Sequence, residues 1–248
     1  MRNHALEAVR SYYHKILPFY EEESEERPDL GFWRKLVAER SPRSVLELGA
    51  GSGRVTAALT GLAPVVALDL SHEMLRHAAA RLAGRSASSN AALVASDMRR
   101  FAFACRFDLI VAPNDPFSHL TQRRERQLAL RAIARHLAPG GSLVIEGLYR
   151  PERKRIDLPE RCVNGVLVRE TWQPFGRNNR WHARYSYRRN AEYVDAEFVA
   201  RSWDLEEANA LFKSCSLQLK QLWGDFDRRP FTPNAERMIL VAGRTGES

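Results

Sequence analysis

Ser44-Val45-Leu46-Glu47-Leu48-Gly49-Ala50-Gly51-Ser52-Gly53-Arg54 is the stretch that decides the fold. A short apolar run that ends in glycine and gives way to a helical pattern is the junction between a buried parallel strand and its crossover helix. Glycines at such a junction let the backbone turn sharply and approach a ligand with no Cβ in the way. Their spacing is Gly-x-Gly-x-Gly, not the Gly-x-Gly-x-x-Gly of dinucleotide enzymes, which argues against a nicotinamide dehydrogenase. The acidic Glu47 just before them suits a ligand with cationic groups better than a diphosphate.

Outward from this junction the alternation continues. Pro64 to Asp69 reads as a second buried strand, and Ser71 as the N-cap of a helix through Leu82. Gly84 to Asn90 reads as a loop, Ala91 to Ala95 as the third strand and Phe107 to Ala112 as the fourth. A helix from Arg123 to Leu137, with Leu128, Ile133, Ala134 and Leu137 on its apolar face, stops at Pro139-Gly140-Gly141 before the fifth strand, Ser142 to Glu146. Strict alternation implies a doubly wound, mostly parallel sheet with helices on both faces, and the closing strands Gln218 to Trp223 and Arg237 to Ala242 bring it to seven. Between about 150 and 203 the period changes to two over Val163–Thr171, Trp181–Arg188 and Ala191–Arg201, which predicts an inserted antiparallel β-meander over the active site. Asp204 and Glu207 have capping-box spacing at the start of the next helix. Residues 1 to about 40 read as two helices forming a lid, so the expectation is one α/β domain over 1–248 with a lid at 1–40 and an insertion at 150–203.

Composition fits a soluble globular protein: 248 residues, 44% hydrophobic and 27% charged. The apolar runs fall short of the ~20 residues of a membrane helix, and no apolar signal core follows Met1, which predicts a cytoplasmic protein with no membrane partner. Three scattered cysteines predict neither a metal site nor a disulfide framework. The net charge of +8 is arginine spread along the chain, either solvated faces or a nucleic-acid partner.

Three acidic or glycine positions close three successive strands. Asp69 stands where a carboxylate accepts bonds from both ribose hydroxyls, and Asp97, before Met98, where one accepts from an adenine amino group or simply caps a helix. The glycine loop, Val66-Ala67-Leu68-Asp69-Leu70-Ser71 with Met74, Asp97-Met98 and Leu137-Ala138-Pro139-Gly140-Gly141 together resemble the class I S-adenosylmethionine-dependent methyltransferases over nearly the whole chain. The resemblance implies S-adenosylmethionine as cofactor, S-adenosylhomocysteine as product, and a cofactor site of Glu47, Gly49, Ala50, Gly51, Gly53, Arg54, Asp69, Leu70, Met74, Asp97, Met98 and Pro113.

Asn114-Asp115-Pro116-Phe117-Ser118-His119 is similar to the acceptor-side loop of glycine and sugar-amine N-methyltransferases, with Asp115 where those enzymes commonly carry asparagine. Asp115 and His119 are the catalytic candidates. His119 is read either as a general base, its ordinary pKa being near neutral, or as a backbone-bonded loop brace. Tyr12, Tyr20, Asn114, Asp115 and Phe117 are the acceptor-binding candidates, and Tyr12, Tyr13, Tyr20 and Trp33 are either an aromatic lid or core. Arg150 is near, but shifted from, the place of the glycine enzyme's carboxylate-binding arginine, which argues against glycine itself. The expected reaction is methylation of a small-molecule acceptor, nitrogen ahead of oxygen, with a homodimer as the candidate assembly. An RNA methyltransferase and a non-catalytic cofactor-binding protein are the alternatives.

Overall fold

The computed structural model describes residues 4–83, 90–235 and 237–246. Two helices, α1 (His4–Glu25) and α2 (Leu30–Arg40), precede the alternation β1 (Val45–Leu48), α3 (Arg54–Leu59), β2 (Val65–Asp69), α4 (His72–Ala83), β3 (Ala91–Ala95), β4 (Phe107–Ala112), α5 (Arg123–His136) and β5 (Leu137–Leu148). Strands β6 (Ile156–Asp157), β7 (Arg161–Val163), β8 (Val166–Pro174), β9 (Arg180–Arg189) and β10 (Glu192–Arg201) follow, then α6 (Leu205–Ser214), β11 (Leu217–Trp223) and β12 (Arg237–Arg244).

The main sheet has seven strands in the order β11-β12-β5-β4-β1-β2-β3, parallel from β5 to β3, with β12 antiparallel to both β5 and β11. This is the doubly wound sheet that the strand–helix alternation requires. Its central strands are apolar on both faces because helices cover both sides: Val45, Leu46 and Leu48 of β1 and Leu109, Ile110 and Val111 of β4 are buried. Chain order reverses between β1 and β4, which opens a crevice at the carboxyl ends of the strands, where folds of this kind bind ligands.

Two local readings change. Leu128 is 40% exposed. Arg126, Ala129, Leu130 and Ile133 form the inward face of α5, and at ~100° per residue position 128 falls on the opposite side. The fifth strand starts at Leu137, not Ser142: Phe107 pairs with Leu137, and an irregularity in register absorbs the Pro-Gly-Gly turn. Ser71 caps α4 as expected, its Oγ accepting from the Met74 N–H at 3.2 Å. At α6 only half of the capping box forms: Asp204 accepts from the Glu207 N–H at 2.9 Å, while the Glu207 carboxylate takes Arg201 at 2.6 Å. The loop read over 84–90 lies outside the described residues except Asn90.

The insertion is a second, antiparallel sheet of five strands, two more than the period-2 segments indicated. Val163-Asn164-Gly165-Val166 is a tight turn, with Asn164 at φ 49° and Gly165 at φ 82°, so the segment read as one strand from Val163 splits into β7 and β8. Trp181, Ala183 and Tyr187 of β9 are buried on one face. α1 lies along this face. Tyr12, Ile16 and Phe19 pack on Val166, Val168 and Tyr187, and ion pairs Glu22–Arg189 and Glu23–Arg161 tie the helix down. On its other side α1 meets the main domain through His14–Glu73 and Glu25–Arg81. The helix therefore bridges the two sheets across the crevice. No helix among the described residues is long and apolar enough to cross a membrane.

Candidate active site

The crevice contains a narrow cleft and, beside it, a larger cavity. The cleft is lined by Gly49, Gly51, Asp69, Leu70, Met74, Asp97, Met98 and Pro113, all cofactor candidates from sequence, together with Ser71 and, from α1, Val9, Arg10, Tyr13 and Tyr20. Gly49 and Gly53 hold φ of 71° and 76°. A Cβ on Gly49 would sit 2.5 Å from Pro116, so this glycine lets the acceptor-side loop close on the turn. A Cβ on Gly53 would sit 2.8 Å from the Ala78 Cβ; this glycine packs α3 against α4 and is not among the residues lining the cleft.

Asp69 is the hinge of the cleft. Its Oδ2 accepts from the Gly51 N–H and its Oδ1 from the Ser71 N–H, each at 2.8 Å. Burial raises its pKa, and those backbone bonds oppose the rise. At the next strand end Asp97 chelates Arg99, with Nη2 to Oδ2 at 2.7 Å. Burial pushes the Asp97 carboxyl up, but Arg99 outweighs it and holds the pKa below its ordinary value. Asp69 accepts a single backbone N–H on each oxygen and so retains acceptor capacity, whereas both Asp97 oxygens are engaged by Arg99. The residues thus fit a nucleoside.

Four cofactor candidates are not at the cleft surface. Ala50 is packed among core residues beneath the turn, and Gly53 is spent on helix packing. Arg54 points into the domain, where its Nη2 lies 2.8 Å from Oδ2 of the fully buried Asp29. Glu47 is 1% exposed and accepts from Thr56 Oγ1 at 2.6 Å. Burial pushes the Glu47 carboxyl up to about 8, against the pull of Thr56 and Arg54.

This has a pH consequence. An acid whose folded pKa lies above its unfolded value holds its proton longer in the native state, so native stability falls as pH rises from the unfolded to the folded pKa. For Glu47 that window runs from 4.5 to about 8. The ligand-free protein is therefore expected to lose melting temperature between pH 6 and pH 9, and Glu47→Gln to flatten the slope. Parallel pH–melting curves for wild type and variant would count against this.

The second cavity, about 500 Å³, lies between α1, the carboxyl ends of β4 and β5, and the inserted sheet. Tyr13, Tyr20, Asn114 and His119 line both spaces and form the window between them. Asn114 and Asp115 hold left-handed φ values of 56° and 44°. That sharp bend aims Asp115 into the cavity and is fixed from behind, because Glu146 accepts from the Asn114 N–H at 2.6 Å and Asp115 Oδ2 from the Leu148 N–H at 2.7 Å. The Trp203 indole lies against the Asp115 carboxylate, yet neither Trp203 Nε1 nor Asp115 Oδ1 completes a hydrogen bond. Burial raises the Asp115 pKa to about 7, with the charge of Arg126 opposing.

His119 donates or accepts at 3.0 Å with the Tyr13 hydroxyl through Nε2, and its Nδ1 has no partner. Burial lowers its pKa to about 4, so it is a neutral imidazole at ordinary pH. Of the acceptor candidates, Tyr12, Tyr20, Asn114 and Asp115 line the cavity. Phe117 does not. Fully buried, it packs 5.5 Å from the Trp203 ring, because the 3₁₀ turn over Pro116–His119 rotates it inward. Trp33 is likewise core, its Nε1 donating to Asp29 at 3.2 Å. Glu23, Arg27, Glu170 and Trp172 line the cavity without having been singled out from sequence. A signal existed in the spacing: Tyr13, Ile16, Tyr20, Glu23 and Arg27 recur every three or four residues, and Glu170 and Trp172 alternate on one face of β8.

Residues 45–141 match the family described as Methyltransferase domain. The chain is 26% identical over 208 residues to the cypemycin N-terminal methyltransferase of a Streptomyces species, covering 82% of this chain and 83% of that protein. It is 32% identical over 120 residues to the dTDP-3-amino-3,4,6-trideoxy-α-D-glucopyranose N,N-dimethyltransferase of Streptomyces venezuelae, which is 47% of this chain and 48% of that enzyme. Among solved structures, a S-adenosylmethionine-dependent methyltransferase from Clostridium acetobutylicum ATCC 824 superposes with a TM-score of 0.79 at 19% identity, covering 94% of this chain and 99% of that one. Residues 45–141 thus match a methyltransferase domain, and the chain shares the fold of S-adenosylmethionine-dependent methyltransferases, which supports S-adenosylmethionine as the cofactor.

Proposed function

We propose that this protein methylates the nitrogen of an amine-bearing small molecule. The observation that carries the reading is the shared window: Tyr13, Tyr20, Asn114 and His119 separate the cofactor cleft from a cavity in which the buried Asp115 carboxylate leaves Oδ1 without a hydrogen bond. A buried carboxylate with one unpaired oxygen is costly and attracts a cation. An ammonium group is the fitting complement, and two of the relatives above are named for N-terminal and amino-sugar N-methylation.

Gly49, Gly51, Asp69, Asp97 and Met98 would hold S-adenosylmethionine. When bound, it supplies a methyl carbon already activated by a sulfonium leaving group. The protein's share is then alignment and the removal of a proton. Asp115, poised near neutrality, orients the incoming ammonium and takes up its proton, so that nitrogen presents a lone pair toward the window. His119 is too weak a base for this with a pKa near 4. Braced by Tyr13, it shapes the window as a neutral group.

The experiment is a screen of primary amines for methyl transfer from radiolabelled S-adenosylmethionine, run alongside Asp115→Asn. An accepted amine is expected, with at least about tenfold loss in kcat/KM for the variant and unaltered S-adenosylhomocysteine binding, in line with the ~1.5–3 kcal/mol of a charge-assisted hydrogen bond. Hydroxyl acceptors methylated in preference to amines would overturn the assignment to nitrogen.

A further inference from the structure

Arg126 carries its charge where no carboxylate touches it. It is fully buried in α5 and makes no ion pair among the described residues; its N–H groups go to backbone carbonyls instead. Nε donates to the Leu120 carbonyl at 3.2 Å, Nη1 to that of Ser202 at 3.3 Å and Nη2 to that of Arg201 at 2.5 Å. The guanidinium carbon lies 4.3 Å from the centroid of the Trp203 ring. Burial pulls the Arg126 pKa down to about 10, against the pull of Asp115, so the group stays a cation at neutral pH. A buried guanidinium without an anion in contact is costly, and carbonyl dipoles and a π face offset only part of that cost.

Trp203 touches both charges: Arg126 lies over its face, and the Asp115 carboxylate stands at its indole edge. The exit of β5 sets this arrangement. The Leu148 peptide donates its N–H to Asp115 Oδ2 at 2.7 Å, and its carbonyl accepts from the Trp203 backbone N–H at 2.7 Å. A Cβ on Gly147, one residue earlier, would sit 2.5 Å from Trp203 Cδ1 and 2.9 Å from Nε1, so a glycine is needed for the indole edge to fit there. Asp115 Oδ1 and Trp203 Nε1 are thus a buried acceptor and a buried donor held side by side, each without a hydrogen bond. The other groups around Asp115 cannot take the part of Arg126. Glu146 of β5 repels it, Tyr13 of α1 and His119 of its own turn are neutral, Arg201 is taken by Glu207 at 2.6 Å, and Arg150 stacks on Trp172.

We infer that Arg126 and Trp203 are positioning residues for methyl transfer: the cation behind the indole face keeps Asp115 an anion, and the indole N–H fixes how its free oxygen meets the incoming ammonium group. The inference rests on the amine reading above and adds the residues that prepare Asp115 for it. A guanidinium over an aromatic face draws π density toward itself, which strengthens the N–H at the ring edge as a donor. A carboxylate oxygen has two lone pairs, so Oδ1 can take the indole N–H on one and the ammonium on the other. The ammonium proton then passes to Asp115, and nitrogen keeps the electron pair. Neither Arg126 nor Trp203 lines the acceptor cavity, so both act through Asp115 and not on the ligand.

The test follows the Asp115 carboxyl itself, by NMR titration of the full chain labelled with carbon-13 at its aspartate carboxyls. The Asp115 signal is assigned by its loss in Asp115→Asn, and in the wild type it is expected to titrate at about 7. Arg126→Met should move that midpoint up by at least about one pH unit, the effect of removing an opposite charge from a buried site. Arg126→Lys should return most of the shift. Trp203→Phe keeps a ring for Arg126 to stack on but has no N–H, and should move the midpoint up by about half a unit. A merely structural role gives the opposite sign: loosened packing admits water, and a hydrated carboxyl titrates lower, toward its ordinary 3.8. A midpoint that stays or falls in either variant overturns the inference, and Trp203→Phe decides it if Arg126→Met does not fold. Methyl transfer is scored separately. For an amine accepted in the screen above, the rise of kcat/KM with pH should shift with the NMR midpoint. Upward midpoint shifts in variants of a protein that methylates no amine would sink the amine-transfer reading and leave the control of Asp115 by Arg126 and Trp203 standing.

Discussion

Asp69→Asn is expected to weaken S-adenosylhomocysteine binding by at least about 100-fold, read by calorimetry on the purified protein. Two losses add. A carboxylate accepting both ribose hydroxyls contributes ~1.5–3 kcal/mol per charge-assisted bond, and an amide keeps only part of that. The second loss is internal to the protein. Both carboxylate oxygens already accept a backbone N–H, from Gly51 and from Ser71. An amide offers one acceptor and one donor, so one of those N–H groups would face another N–H. Either the glycine turn or the start of α4 must then shift, and each lines the cleft. Asp69→Glu should also bind weakly, because the extra methylene cannot be placed between the two N–H groups without displacing one. Affinity for S-adenosylhomocysteine within threefold of wild type in Asp69→Asn would remove the nucleoside assignment of this cleft.

Asp69 was legible in the sequence for a physical reason. Parallel strands buried on both faces leave apolar runs, and the first polar residue after such a run marks the carboxyl end, where the crevice opens. The same logic exposed Gly49, Gly51, Asp97, Met98 and Pro113. It fails one residue further on. Position along a loop does not tell which way a side chain turns, so Phe117 and Asp115, two apart, read alike, yet one is core and the other faces the cavity. The left-handed backbone at Asn114 and Asp115 makes that difference, and neither residue is a glycine that would announce it.

The acceptor cavity was less legible because its walls come from distant parts of the chain. Arg27 and Glu146 are 119 residues apart, and Tyr187 and Glu23 are 164 apart. No local pattern records such a meeting. The periodicity of α1 did mark one inward face, but not whether core or cavity lies under it. The answer is both: Ile16 and Phe19 are buried on the inserted sheet, while Tyr13 and Tyr20 look into the window.

Arg54 shows the same limit from the opposite side, and its buried pairing predicts a large stability effect. A basic residue directly after the glycine turn reads as a ligand contact. Instead Arg54 reaches back to Asp29, which is fully buried and also accepts from Trp33 Nε1. Asp29→Ala would leave a guanidinium and an indole N–H buried without their acceptor, at a cost of ~3–5 kcal/mol. With ~2–4 °C per kcal/mol for a chain of this size, the melting temperature should fall by about 10 °C. Removing both charges differs from removing one: Asp29→Leu with Arg54→Met should recover much of the loss, since a buried pair replaced by apolar groups is often close to neutral. That double variant should also bind S-adenosylhomocysteine within a few-fold of wild type, because neither residue lines the cleft. A double variant that is stable but has lost the cofactor would return Arg54 to the binding site. A single variant that melts with wild type would show that the pair does not hold α2 to the glycine turn.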